Sequence, residues 1–277
     1  MLKFDGVTYC YKGEIKALDN VNACIGAGIH LLVGENGAGK TTLLHVAAGL
    51  LRPQQGLCTY DGVATGVRSP HIMSRLFLLT DDPQFPANTI NECVKCHAIF
   101  YPQFSREVLD DCLREFGLDG SERLDRLSLG NRKKALLAYC IALRTELLLL
   151  DEPANGLDIQ SKKTLQRLLV RHIGDSQTVI VSTHTTADLH NLYSGLIVMH
   201  HSRLVLAMPV ADIMSRLAFV VGPAKAPEAL YSEMAADGVH SIVVADEMNE
   251  TEIDFELLYC ALCTTENSQA IISQLTK

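Results

Sequence analysis

The 277-residue chain lacks any uninterrupted apolar run of the roughly 18–20 residues that a membrane-spanning helix needs. The best candidate, Ala135–Leu150, is broken by Arg144 and Glu146. The chain also lacks an excess of positive charge. Its formal net charge is −8 and its pI about 5.7, a balance that argues against non-specific binding to nucleic acid or to an anionic bilayer, so no nucleic-acid partner is expected. There is no internal repeat and no low-complexity tract. The first residues carry Lys3 and Asp5 and no signal-peptide apolar stretch, which predicts a cytosolic chain. A disulfide framework is missing too: the nine cysteines are an odd number, scattered through ordinary core composition. Cys93-Val-Lys-Cys96-His97 has the spelling of a haem attachment site, and Cys260-Ala-Leu-Cys263 is a second C-x-x-C. The first reads better as a helix, because Thr89 and Glu92 form a capping box and Cys93, Cys96, His97 and Phe100 recur at helical spacing. Haem, or a zinc ion joining both pairs, are the alternatives. His200-His201 reads as surface.

Hydrophobic residues at 48% and charged residues at 20% are ordinary for a globular protein, and the length suffices for one or two domains with a core. Strands are expected at 2–8, 18–25, 29–33, 76–80, 147–150, 178–182, 196–199 and 204–207. Helices are expected at 41–51, in two or more pieces over 89–116 with a break near Tyr101-Pro102, at 131–144 and at 161–173. Uniformly apolar strands alternating with helices indicate a mostly parallel sheet covered on both faces. The strandless stretch 89–143 reads as an inserted helical subdomain. After about Met214 the pattern restarts, with strands at 218–221 and 241–245, a helix at 227–236, and a last helical stripe of Phe255, Leu258, Tyr259 and Leu262.

Between the apolar strand ending at Val33 and the apolar residues Leu43 and Leu44 lies Gly34-Glu35-Asn36-Gly37-Ala38-Gly39-Lys40-Thr41-Thr42. G-x-x-x-x-G-K-T in a strand–turn–helix context is a phosphate cradle. Glycines let backbone N–H groups point inward and oxygens approach closely, and the helix N-terminus adds its dipole. Lys40 supplies a point charge and Thr41 a hydroxyl for Mg²⁺. Downstream, Glu146–Pro153 is a buried strand ending in Asp151 and Glu152. Asp151 is placed to hold the metal, and Glu152 to polarise an attacking water. Acidic groups beside a triphosphate are costly without a cation, which supports Mg²⁺. Ser182-Thr183-His184 follows another buried strand, and the C-terminal end of a parallel strand is where ligands bind.

These residues together resemble the nucleotide-binding cassette of ABC transporters, over residues 2 to about 210. The matching motifs are Gly34–Thr42 (Walker A), Leu127-Ser128-Leu129-Gly130-Asn131 (signature), Leu147–Pro153 with Glu152 (Walker B), Asn155-Gly156-Leu157-Asp158 (D-loop) and His184 (switch histidine). The stretches Phe100–Ser105, Leu127–Gly130 and Asp254–Leu262 look like the bacterial exporter-type branch, whose ATPase is a separate chain from its permease. The resemblance implies a P-loop NTPase of the α/β class: a mostly parallel sheet with an antiparallel β portion, an ATP-binding domain over 1–214, a helical subdomain over about 88–145 and a small α/β appendage over 215–277. It implies ATP and Mg²⁺ as cofactors and a homodimer or heterodimer sandwiching two ATPs. It also implies a transmembrane permease partner, with the chain itself cytoplasmic and peripheral on the inner face of the cell membrane. Gly34 to Thr42 would cradle ATP, with Ser128 and Gly130 gripping the γ-phosphate from the opposite chain. Glu152 and His184 would be catalytic, Asp158 would bridge the two sites, and Tyr11, with Tyr9 as alternative, would stack on adenine.

Two departures stand out. Asp81, in Leu78-Leu79-Thr80-Asp81-Asp82-Pro83-Gln84, occupies the place of the family's metal-reaching glutamine, with Gln84 displaced by three residues. Leu129 and Asn131 replace the commoner Gly and Gln of the signature. An aspartate at 81 could still reach Mg²⁺, at the cost of more negative charge in an acidic site. The rival readings are a soluble ABC ATPase not coupled to transport, against which the single cassette and the lack of a coiled-coil insertion count, and a nucleotide sensor with little hydrolysis.

Overall fold

A computed structural model of the chain describes residues 1–12, 15–82, 87–184, 192–246 and 251–276. The chain begins with β1 (Leu2–Cys10), β2 (Lys16–Ile25) and β3 (Gly28–Val33), then α1 (Lys40–Ala47). β4 (Gln55–Tyr60), β5 (Val63–Ala64), the short α2 (Pro70–Met73) and β6 (Leu76–Leu79) follow. The helical stretch comprises α3 (Ile90–Cys96), α4 (Arg106–Phe116) and α5 (Leu129–Ala142). β7 (Leu147–Leu150), α6 (Ile159–His172), β8 (Thr178–Thr183), β9 (Gly195–His200), β10 (Arg203–Pro209) and α7 (Val210–Met214) complete the central layer. The C-terminal elements are β11 (Leu217–Gly222), β12 (Tyr231–Ala235), β13 (Gly238–Val244), α8 (Phe255–Cys263) and α9 (Thr265–Leu275).

Among the described residues these strands form three sheets. The central one has the order β10-β9-β3-β8-β7-β6, parallel except for β10, which runs antiparallel to β9. A second, antiparallel sheet has the order β2-β1-β4-β5, and a third the order β11-β13-β12. The α/β class with its antiparallel portion is therefore as expected.

The period of two along each central strand assigns side chains to two cores. Leu31, Val33, Leu148, Leu150, Val179 and Val181 pack with α5 and α6 on one face. Leu32, Leu147, Leu149 and Ile180 pack with α1 and the antiparallel sheet on the other. β7 is apolar throughout, and β3 and β8 are apolar over Leu31–Val33 and Val179–Val181, because neither face meets water there. The C-terminal elements join the first core through Leu217, Phe219, Ile242, Phe255 and Leu258, and the rings of Tyr193 and Phe255 meet edge to face at 6.1 Å.

The structure corrects several local expectations. Residues 227–236 do not form a helix. Tyr231–Ala235 is β12, paired with β13 through the register Ala235↔Gly238. The two-residue turn is Ala236-Asp237, followed by Gly238 at φ 145° as the first residue of β13, and this Asp-Gly step was the signal. β4 was unforeseen, although Cys58 and Tyr60 alternate into the core opposite Phe4 and Leu2. α9, which buries Ile271 and Leu275, was also missed. α1 stops at Ala47, short of the expected Leu51, because Gly49 turns left-handed at φ 68°. The Cys93 segment is helical. Thr89 Oγ1 accepts from Glu92 N (3.1 Å), while Glu92 returns its carboxylate to Asn88 N (3.0 Å), one residue before the capping-box position. Cys93 is buried, which pushes its pKa up to about 11, and His97 Nδ1 pairs with the Tyr139 hydroxyl at 2.8 Å.

Candidate functional site

β3 delivers the chain to Gly34, and α1 takes it away from Lys40. At Gly34 a Cβ would lie 2.6 Å from the Met199 carbonyl oxygen, and at Gly39 (φ 103°) 2.3 Å from that of Ala17. Only glycine lets the turn press this closely against β9 and β2. Gly39 also caps α1 without a side chain, so no side-chain oxygen occupies the N–H end of the helix. Glu35, Asn36 and Gly37 are exposed, whereas Gly34, Ala38, Gly39 and Lys40 are buried. The Lys40 ammonium is curled back on the turn and donates to the carbonyls of Gly34 (2.6 Å) and Glu35 (3.2 Å). Burial pulls its pKa down, opposed by the carboxylates of Glu152, Asp151 and Glu35.

Opposite the turn, β7 ends at Leu150, and Asp151 N donates to Leu79 O (2.8 Å), which fixes the strand end. Asp151 is buried, accepting from Thr41 Oγ1 (2.8 Å) and from Ser182 Oγ (2.6 Å). Glu152 takes a left-handed φ of 48°, a conformation costing a non-glycine residue about 1–3 kcal/mol. Its neighbours hold it there. Glu152 N donates to Ser182 Oγ (2.9 Å), and Lys133 Nζ donates to Glu152 O (2.7 Å). Its carboxylate accepts from His184 Nδ1 (2.9 Å). Ser182 thus ties both acidic residues to the end of β8.

The site gathers Lys40, Thr41, Asp151, Glu152 and His184, each expected from the sequence, with Ser182 and Lys133, which were not. Lys133 lies in the run Arg132-Lys133-Lys134, which looks solvated. Its signal was periodicity, since it falls three and four residues before the buried Leu136 and Leu137.

Thr42 is buried, and its hydroxyl lies 3.2 Å from that of Tyr11. Tyr11 is 45% exposed beside the turn, while Tyr9 packs edge-on against it at 5.0 Å and leans into the core. The Glu35 carboxylate is drawn to the β9–β10 turn, 3.0 Å from His201 Nδ1 and 3.4 Å from His200 Nδ1. Ser128 caps α5 by accepting from Asn131 N (3.3 Å), so Leu129 and Gly130 form the first helical turn instead of preceding it. A Cβ on Gly130 would lie 3.4 Å from Gly156 O, which brings signature and D-loop together within one chain. Asp158 caps α6 by accepting from Ser161 N (2.8 Å), a bond that lowers its pKa.

Asp81 has a partner other than the metal site. Its carboxylate accepts from Lys133 Nζ at 2.8 Å and from Asn155 Nδ2 at 3.5 Å. The charge that Asp81 adds is matched by this lysine. Gln84 lies outside the described residues.

The donor set fits the expected cofactors. Thr41 and Asp151 offer hard oxygens, the ligands that a cation such as Mg²⁺ takes. Lys40 is a buried ammonium whose hydrogen bonds go to neutral carbonyls, at the mouth of a turn made for phosphate.

The ABC transporter family model matches residues 18–155. The cobalt import ATP-binding protein CbiO of Rhodobacter capsulatus is 30% identical over 228 residues, spanning 78% of this chain and 81% of that protein. The bacitracin transport ATP-binding protein BcrA of Bacillus licheniformis is 28% identical over 221 residues, spanning 78% and 72%. A solved dimeric ATP-binding cassette in a post-hydrolysis state, bound to ADP and Pi, has the same fold: TM-score 0.65 at 23% identity, covering 76% of this chain and 99% of that one. With the phosphate turn, the acidic strand end and the relatives in agreement, the chain belongs to the ATP-binding proteins of the ABC transporter family and is an ATPase.

Proposed function

We propose that the chain is the ATP-hydrolysing subunit of a membrane exporter, working as a dimer at the inner face of the cell membrane against a transmembrane permease subunit. The observation that carries the hydrolytic part is the acidic pair at the end of β7: Asp151 facing Thr41, and Glu152 anchored at three points beside His184. Residues Gly34 to Thr42 receive the phosphates of ATP, with Lys40 as the charge, and Tyr11 stacks on the adenine. Thr41 and Asp151 would hold Mg²⁺, which supplies positive charge against the oxygens of the transferred phosphoryl group. Glu152 orients and deprotonates the attacking water, and His184 keeps that carboxylate aimed.

Ser128 and Gly130 serve the ATP of the opposite chain, and Asp158 lies between the two sites. Exposed apolar side chains beside these motifs, Leu129 at 75% and Ile159 at 74%, favour a covered face there. ATP binds the closed dimer better than the open one, and that difference drives the motion. Residues 1–214 carry out this work, the helical subdomain at about 88–145 passes the motion on, and residues 215–277 are an appendage. Either identical or related chains could form the dimer. Among the described residues no helix is long and apolar enough to cross a membrane, and this reading assigns the membrane path to a permease chain. One relative is named for cobalt import and another for bacitracin transport, and the export direction rests on Phe100–Ser105 and Leu127–Gly130.

The test is Glu152→Gln. Mg-ATP binding should persist while phosphate release falls about 10²–10⁴-fold, the scale of a lost general base. Undiminished turnover would remove Glu152 from the chemistry. Export itself is tested by recovering the chain with an integral membrane protein from native membranes and measuring ATP-dependent transport in vesicles.

A further inference from the structure

Asp81 stands where a metal-reaching glutamine is expected, yet its carboxylate is engaged by a lysine that also holds the backbone of Glu152. Lys133 Nζ is the junction, donating to Asp81 Oδ1 at 2.8 Å and to Glu152 O at 2.7 Å. The Lys133 side chain is only 7% exposed, whereas that of Asp81 is 51% exposed. A buried ammonium needs a compensating charge, and Asp81 is the carboxylate in contact with it. Asn155 Nδ2 reaches the same Asp81 oxygen at 3.5 Å. The loop after β6, the first turns of α5 and the segment after β7 therefore meet at one ion pair, Lys133 with Asp81.

This matters because Glu152 is held at φ 48°. Ser182 Oγ fixes its N–H side and Lys133 its C=O side. Ser182 sits at the end of a central strand, on an element packed on both faces. Lys133 belongs to α5 in the helical stretch, and its partner Asp81 is half-exposed. One anchor is fixed to the sheet, and the other depends on where the helical stretch and the Asp81 loop stand.

We propose that Lys133 is a positioning residue that sets the Glu152 backbone for hydrolysis, and that Asp81 is its counter-charge and not a metal ligand, so that displacement of the Asp81 loop loosens Glu152. This rests on the reading of Glu152 as the group that activates water, and it adds a chain-specific route by which the helical stretch controls that group. A paired Lys133 holds Glu152 in place. An unpaired one is drawn toward water, releases the Glu152 carbonyl, and leaves the left-handed conformation supported on one side only.

The test uses the full-length chain, with Lys133→Met, Lys133→Arg, Asp81→Asn, and Asp81→Gln and Lys133→Gln made singly and as a neutral pair. Lys133→Met should lower kcat about 10–100-fold, the cost of a misplacement on the order of 1 Å, with ATP affinity within about twofold of the parent. Lys133→Arg, which keeps both donors, should recover most of kcat. Asp81→Asn should lower kcat, and the neutral pair should lose less than the two single Gln changes multiplied together. Mn²⁺ affinity of the nucleotide complex, read by electron paramagnetic resonance, should be unchanged in Asp81→Asn. A tenfold or greater loss of Mn²⁺ affinity in Asp81→Asn would make it a metal ligand and overturn the proposal. Unchanged kcat in a folded Lys133→Met protein, with Glu152→Gln still inactive, would overturn it while leaving Glu152 as the base. If Glu152→Gln is active as well, the reading of Glu152 is what has failed.

Discussion

Lys40 and Lys133 show how burial gives a lysine a task. Both ammonium groups lie in the low-dielectric interior near carboxylates, but their partners differ. Lys133 has a carboxylate in direct contact, whereas the hydrogen bonds of Lys40 are to carbonyl oxygens of its own turn. Burial lowers the pKa of Lys40, so its charged state is held at an energetic cost that an incoming phosphate relieves. Replacing Lys40 with alanine should therefore weaken ATP binding about 10–100-fold, the range for a hydrogen bond to a charged group. Equilibrium titration with a fluorescent ATP analogue measures this, and unchanged affinity would separate Lys40 from the phosphates. The same variant should not lose thermal stability without nucleotide, because it removes a buried charge that has no carboxylate in direct contact.

Among elements, the caps and turns decide what periodicity leaves open. Ser105, Ser128 and Asp158 each accept a backbone N–H at the start of α4, α5 and α6, which sets the first turn of each helix. In the C-terminal sheet, His240 on β13 lies between Asp237 (2.9 Å) and Asp254 (3.2 Å), and Asp254 in turn caps α8. The hydrogen bond to Asp237, then that to Asp254, raises the pKa of His240. A raised folded-state value means that the stabilisation is fully present below the unfolded-state value of about 6.5 and is lost as pH climbs through the raised one. His240→Ala should accordingly lower Tm by no more than about 2–4 °C near pH 5.5 and by less near pH 8.5. A deficit that grows with pH would refute the assignment.

For the whole molecule, the two cores divide the labour. The sheet's α1 face and the antiparallel sheet hold the phosphate turn, while the other face carries α5 and α6 with Ser128, Gly130, Lys133 and Asp158. In the proposed dimer these halves meet across two chains, so Glu152→Gln, which would stall the cycle with ATP bound, should shift toward dimer in sedimentation velocity on addition of Mg-ATP. A chain that stays monomeric with ATP bound at saturation would contradict the sandwich. In that dimer Leu129 and Ile159 would supply apolar contact that the free subunit leaves in water.

The linear order of residues determined the central strands and the phosphate turn, because a strand buried on both faces carries a continuous apolar run and a turn pressed against carbonyls must be glycine. It also placed Asp151, Glu152 and His184 at strand ends, where parallel sheets present ligands. β12 escaped because a half-exposed strand has little hydrophobic pattern, and only the Asp237-Gly238 step where its turn enters β13 marked it. Ser182 and Lys133 escaped for a different reason. Helical periodicity marks Lys133 as buried but names no partner, Ser182 has no local pattern at all, and each acquires a role only when β8 and α5 fold beside Glu152, across 30 and 19 residues of chain. Tertiary structure alone decided that the carboxylate at 81 answers a lysine, since the energy of a buried charge depends on its neighbour in space and not on its neighbour in sequence.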